Sequence, residues 1–109
     1  MKRKDTKFYN ALVEEYCSNR FEFETADDLI HSIEEIIEIS QKKYAEIVSS
    51  DSALKAWFDA FVSMNRSFVE MNKMNKDYYE GRMESYGKLL VMDYGEDLEK
   101  LYDEYKINK

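Results

Sequence analysis

Proline is absent from the sequence, and glycine occurs only at Gly81, Gly87 and Gly95. Turns draw heavily on these two residues, so their scarcity argues against a sheet protein with many reversals and favours long helices with few connections. A single cysteine, Cys17, excludes an internal disulfide and fits a reducing cytosol. The three glycines are isolated and form no phosphate-cradling loop, which excludes nucleotide binding by the known motifs. No apolar run approaches the ~20 residues that a bilayer span needs. Lys2, Arg3 and Lys4 follow Met1, but no apolar stretch comes after them, so the start does not read as a secretory signal. A basic footprint is also missing: the net charge is -7. Counterion release from phosphates requires the opposite sign, so neither direct nucleic-acid binding nor adhesion to an anionic membrane is expected.

What is present is a well-stocked core. The 109 residues are 44% hydrophobic and 15% aromatic, which excludes general disorder, while 36% charged residues keep the chain soluble. The length suits one helical domain, 1–109, with residues 1–5 frayed. Leu54, Trp57, Phe61, Met64, Phe68 and Met71 are spaced 3, 4, 3, 4, 3, the period of one continuous helix seam, and Phe58, Val62 and Val69 form a second row beside it. The pattern predicts a core helix buried over a wide arc.

The remaining elements follow in order. Asp5 or Thr6 can cap a first helix with an apolar face of Phe8, Leu12 and Tyr16, ending near Ser18-Asn19. Phe21-Glu22-Phe23-Glu24 alternates and predicts a short extended connection that pins two phenylalanines onto the core. Thr25-Ala26-Asp27-Asp28 resembles a capping box, opening a second helix to about Ser49 with a seam through Ala26, Ile30, Ile33, Ile37, Ser40, Tyr44 and Ile47. Ser49-Ser50-Asp51-Ser52 is the clearest break, so residues 26–48 and 52–72 should fold back as an antiparallel helical hairpin. After Met71 the seam falters at Asn72, Lys73, Asn75 and Lys76. The preferred reading is a turn there that starts a fourth helix. The alternative is one long helix to about Met92, projecting an apolar stripe that a second subunit would have to cover. Tyr94-Gly95 reads as a helix stop with glycine in the left-handed position, and a last short helix runs from Glu96 to about Tyr105. The expected fold is therefore all-α, a compact bundle of four to five helices built on the hairpin.

Candidate chemistry is sparse. Asp27, His31, Glu34 and Glu38 share a helix face at spacings of 4, 3 and 4, which could hold a divalent metal or orient an imidazole. One histidine in the whole chain falls short of the paired Glu-x-x-His motifs of di-iron bundles, and a solvated face is the preferred reading. Cys17 has no local signature of a nucleophile. No cofactor, metal site or catalytic set is expected. Binding candidates are better represented. Asp27, Asp28, Glu34, Glu35 and Glu38 make the first half of the second helix acidic, and residues 26–50 carry six acids against two lysines. Tyr78, Tyr79 and Tyr86 belong to a tyrosine- and methionine-rich second half, and both residue types are favoured at adaptable interfaces.

The small size, the acidic charge and the richness in Lys, Asn, Ile and Tyr are similar to those of many bacterial immunity, antitoxin and phage-encoded inhibitor proteins. This is a resemblance of type that carries over no residues. It implies a non-enzymatic cytoplasmic protein that inhibits or neutralises a protein partner with a basic surface, by occlusion and charge complementarity. The alternatives are a structural homo-oligomer joined along Tyr- and Met-rich helices, and a weak metal-binding or enzymatic protein using His31 and its neighbouring carboxylates.

Overall fold

The computed structural model describes residues 6–47 and 52–108. The protein is all-α: α1 spans Lys7–Ile47, α2 spans Ser52–Tyr94 and α3 spans Leu98–Ile107. There is no strand among the described residues. Among the described residues three helices replace the four to five expected, because two anticipated breaks are helical. Packing divides the chain into two compact units, one of Met1–Glu24 with Lys76–Lys109 and the other of Thr25–Asn75.

The first anticipated break, from Ser18 to Asp28, lies inside α1. Asn19 does not end the helix: its Nδ2 donates to the Glu15 carbonyl at 2.6 Å and its Oδ1 accepts from Arg82 Nε at 3.2 Å, so the buried amide is satisfied without a turn. Phe21 and Phe23 are helical rather than extended. They therefore point about 200° apart instead of together, with Phe21 exposed and Phe23 half-buried under Lys76 Nζ at 5.6 Å. The Thr25-Ala26-Asp27-Asp28 box has no helix start to cap. Short polar residues favour caps, but without Gly or Pro in 6–47 nothing forces one. The second anticipated break, at Asn72–Lys76, is continuous α2. Asn72 Nδ2 donates to the Phe68 carbonyl one turn back at 2.8 Å, as Asn65 does to Phe61 at 2.8 Å, so these amides are absorbed by the helix.

Other local signals match the structure. Thr6 Oγ1 accepts the Tyr9 N–H at 3.1 Å and closes the first turn of α1; Asp5, the other candidate cap, and residues 1–5 generally lie outside the described residues. The Ser49-Ser50-Asp51 link also lies outside them, and α2 begins at Ser52. Gly95 ends α2 at φ 64°, a conformation other residues resist. The Glu96 N–H reaches the Leu90 carbonyl at 3.2 Å. Asp97 then caps α3 by accepting from the N–H groups of Glu99 and Lys100.

The unit of Met1–Glu24 and Lys76–Lys109 holds the larger core. Leu12, Tyr16 and Cys17 of α1 meet Leu90 and Tyr94 of α2 and Tyr102 of α3. Gly87 lets α1 and α2 approach: a Cβ there would stand 2.9 Å from Tyr16 Cε1 and 3.2 Å from Leu98 Cδ1, whereas one at Gly81 would meet nothing within 4 Å. Opposite outcomes follow for one substitution. Gly81→Ala is expected to stabilise by about 1 kcal/mol through helix propensity. Gly87→Ala is expected to destabilise by about 1 kcal/mol or more, because overpacking a buried tyrosine outweighs that gain. Urea unfolding of the two variants measures both.

A polar rim ties α3 to α1. Arg20 Nη2 donates to Glu99 at 2.9 Å, Nη1 to the Tyr16 hydroxyl at 3.0 Å and Nε to Glu24 at 3.3 Å, with its guanidinium 4.3 Å from the Tyr102 ring centre. Burial would lower the Arg20 pKa, but the hydrogen bonds to Glu99 and Tyr16 outweigh it and keep the guanidinium charged. The Arg20 hydrogen bond holds the Glu99 carboxyl below its ordinary range. Burial, and for Tyr102 the hydrogen bond it donates to Glu24, push the phenols of Tyr16 and Tyr102 up. Burial also pushes the Cys17 thiol up to about 11.

These shifts set the pH window of the unit. Raised phenol and thiol values mean that the folded state holds those protons more tightly. Their contribution is complete at neutral pH and is lost as pH rises, from about 8.5 for the thiol and about 10 for the tyrosines. The lowered Glu99 value acts at the other end: its contribution is present above about pH 4.3 and disappears as pH falls. Urea midpoints measured from pH 3 to pH 11 should form a plateau with losses on both sides, and Glu99→Gln should remove part of the acid-side loss.

Candidate functional site

In the unit Thr25–Asn75 the two helices run antiparallel and share a thin seam. Ala26, Ile30 and Ile37 of α1 are buried, as is Val69 of α2, and Phe58 and Val62 are half-buried. Tyr44 stacks flat on Phe58, with ring centres 4.3 Å apart and planes 5° from parallel. The row that packs inward is thus Phe58-Val62-Val69. Most of the seam that looked central in the sequence lies beside it and faces out, with Leu54 and Phe61 half-buried. Trp57 is 63% exposed, Met64 54% and Met71 51%, with Phe68 exposed as well.

Helix geometry explains how this becomes one surface. At 100° per residue, Phe61, Phe68, Trp57 and Met64 sit about 80–140° to one side of Val69. Leu29, Ile36 and Ile39 sit about 80–160° to the same side of Ile37 on α1. Antiparallel neighbours carry such rows onto one common face, and Leu29, Ile36 and Ile39 are exposed there. The face contains a groove of about 250 Å³ between Ile39, Lys43, Leu54, Trp57 and Phe61, in which Lys43 is the charged residue. Trp57 and Phe61 stack at 5.6 Å.

The other side of the hairpin mixes polar and apolar residues, with a groove lined by Phe58, Val62, Arg66, Glu70, Met71 and Met74. A cleft of about 280 Å³ is lined by Glu34, Glu38, Gln41, Arg66, Glu70 and Lys73. Glu38 pairs with Lys42 at 3.1 Å and Glu70 with Lys73 at 3.5 Å, exposed pairs of little net worth. Asp27, Glu34 and Glu38 lie on this side, whereas the exposed Asp28 and Glu35 point away from α2. The acidic residues singled out from the sequence are therefore split between two directions. His31 is exposed, with Nε2 4.0 Å from Asp27 Oδ2, too far for a hydrogen bond that would orient the ring. Among the described residues no group of three or more His, Cys, Asp or Glu is placed to hold a metal ion. No described helix is long and apolar enough to cross a membrane.

The candidate tyrosines belong to the other unit. Tyr78 is exposed and meets Tyr79 edge-on at 5.1 Å. Arg82 lies 5.6 Å from the ring centres of both Tyr78 and Tyr86 while donating to Glu15 at 3.1 Å. Tyr86 is half-buried against the core. Cys17 is fully buried there, its Sγ donating to the Leu101 carbonyl at 3.8 Å. A thiol held up at about 11 is almost wholly protonated at neutral pH, the unreactive form.

The exposed apolar face was not singled out as a site by sequence reasoning. Its signal was there: two apolar rows on residues 54–71 are more than a single antiparallel neighbour can cover. No family model matches the chain, and neither a curated protein nor a solved structure is similar to it.

Proposed function

We propose that this protein acts by binding protein, without a catalytic step, and that the apolar face of the hairpin unit is its docking surface. The observation that carries this reading is Trp57, 63% exposed and stacked on Phe61 between the exposed Met64 and the groove at Ile39. A contiguous exposed face of Trp, Phe, Met, Ile and Leu is costly in water, and such patches mark interaction sites. Trp, Phe and Met are also the residues enriched where interfaces are desolvated. The occupant this face suits is an apolar helical surface, because helix ridges fit the grooves of a helix pair.

The opposite, acidic side supports a second reading, in which Asp27, Glu34 and Glu38 meet a basic partner. Inhibition or neutralisation of that partner would then follow from occlusion. Salt separates the two. Docking on the apolar face should hold or tighten between low and high salt, whereas docking on the acids should weaken as charges are screened. Photo-cross-linking residues placed at Met64 and at Glu38 test the same choice: the expected result is a single adduct from Met64 that persists in high salt. Adducts from Glu38 alone, lost in high salt, would move the site to the acidic side.

A further inference from the structure

Resting on that reading of the apolar face, we infer that its occupant is a second copy of this chain, the two hairpin units closing face to face into a four-helix bundle about a two-fold axis. Charge supports self-pairing. The chain carries -7 overall, and the opposite side, lined by Glu34, Glu38 and Glu70 together with Arg66 and Lys73, would bring five charged residues per copy into a pairing. The groove of the apolar face has one charged lining residue, Lys43, so pairing there desolvates far fewer charges. A basic partner would be drawn to the acidic side instead, so the less charged side is the one left for a like-charged chain.

Area agrees. The helical part of this unit on α1, Thr25–Ile47, is about 33 Å long at 1.5 Å per residue, and a helix pair is about 20 Å wide. The face therefore offers about 650 Å² per copy, or about 1,300 Å² for a pair, inside the range of about 1,200–2,000 Å² of stable complexes. Shape agrees as well. Bulky residues crowd α2 (Trp57, Phe61, Met64, Phe68), while Ser32, Ile36 and Ile39 on α1 are smaller. A two-fold pairing can set one set against the other, which is how a four-helix bundle fills its core.

Sedimentation velocity on the full chain tests this, read together with the fluorescence of Trp57, the only tryptophan. The expected result is a dimer at about 100 μM that dissociates on dilution, with Trp57 emission moving to longer wavelength as it does. Met64→Glu should weaken the dimer about 100-fold or more, because each interface gains two unpaired carboxylates, while Glu38→Lys on the opposite side should leave it within about threefold. A monomer at every concentration, with Trp57 freely quenched by acrylamide, would overturn self-pairing and leave the docking face to a different protein. A monomer with Trp57 shielded would overturn both, since the face would then be covered within one chain. The wild-type dilution series decides even where a variant fails to fold.

Discussion

Tyr102→Ala is expected to lower the stability of the three-helix unit by about 3–5 kcal/mol, the range for deleting a buried aromatic ring. Tyr102 is 1% exposed, and its ring lies beneath the Arg20 guanidinium at 4.3 Å and near Lys106 Nζ at 4.7 Å. Its hydroxyl donates to Glu24 at 2.9 Å. At ten residues, α3 is too short to persist unaided, so its helicity depends on this docking. Tyr102→Phe should cost only about 1 kcal/mol, because it removes one hydrogen bond to a carboxylate that is partly exposed and can hydrate. The gap between the variants separates packing from hydrogen bonding. Cys17 reports the event directly: its sulfur faces the Leu101 carbonyl of α3, so thiol labelling should accelerate strongly in Tyr102→Ala and little in Tyr102→Phe. Equal labelling rates in both variants would show that α3 is held by something other than this ring.

Two adjacent isoleucines should respond in opposite ways. Ile37 is 7% exposed and lies in the thin seam of the hairpin unit, whereas Ile36 is 47% exposed on the apolar face. Ile37→Asp would put a carboxylate into that seam and remove one of the few buried side chains of that unit. A loss of more than about 4 kcal/mol is expected, enough to melt residues 25–75, read as a drop in far-ultraviolet circular dichroism and in hydrogen-exchange protection there. Ile36→Asp should leave helicity unchanged within about 0.5 kcal/mol of stability and should weaken association instead. If Ile36→Asp unfolds the unit as well, that face is part of the core and cannot be a docking surface.

Much of the secondary structure was legible because its causes are local. Thr6 caps α1 through its own hydroxyl, and Gly95 takes the left-handed turn that other residues resist; α3 begins at Leu98, two residues after the expected Glu96, because Asp97 caps it. The continuity of α1 through Asn19 and of α2 through Asn72 was not legible. Asparagine favours helix ends but is tolerated inside a helix where it bonds a carbonyl one turn back, and only the folded chain shows that Asn19 meets Glu15 and Arg82. The candidate acids and tyrosines were legible as residue types, but their division between two packing units depends on contacts distant in sequence.

By itself, then, the sequence determined that the chain is helical, where α2 stops, and that residues 54–71 carry two apolar rows. Only the tertiary structure decided which of the two apolar rows turns inward. Period alone cannot rank rows that are both apolar. The choice went to Phe58-Val62-Val69, because Tyr44 stacks on Phe58 while Ala26, Ile30 and Ile37 close over Val69. That left the row containing Trp57 on the outside.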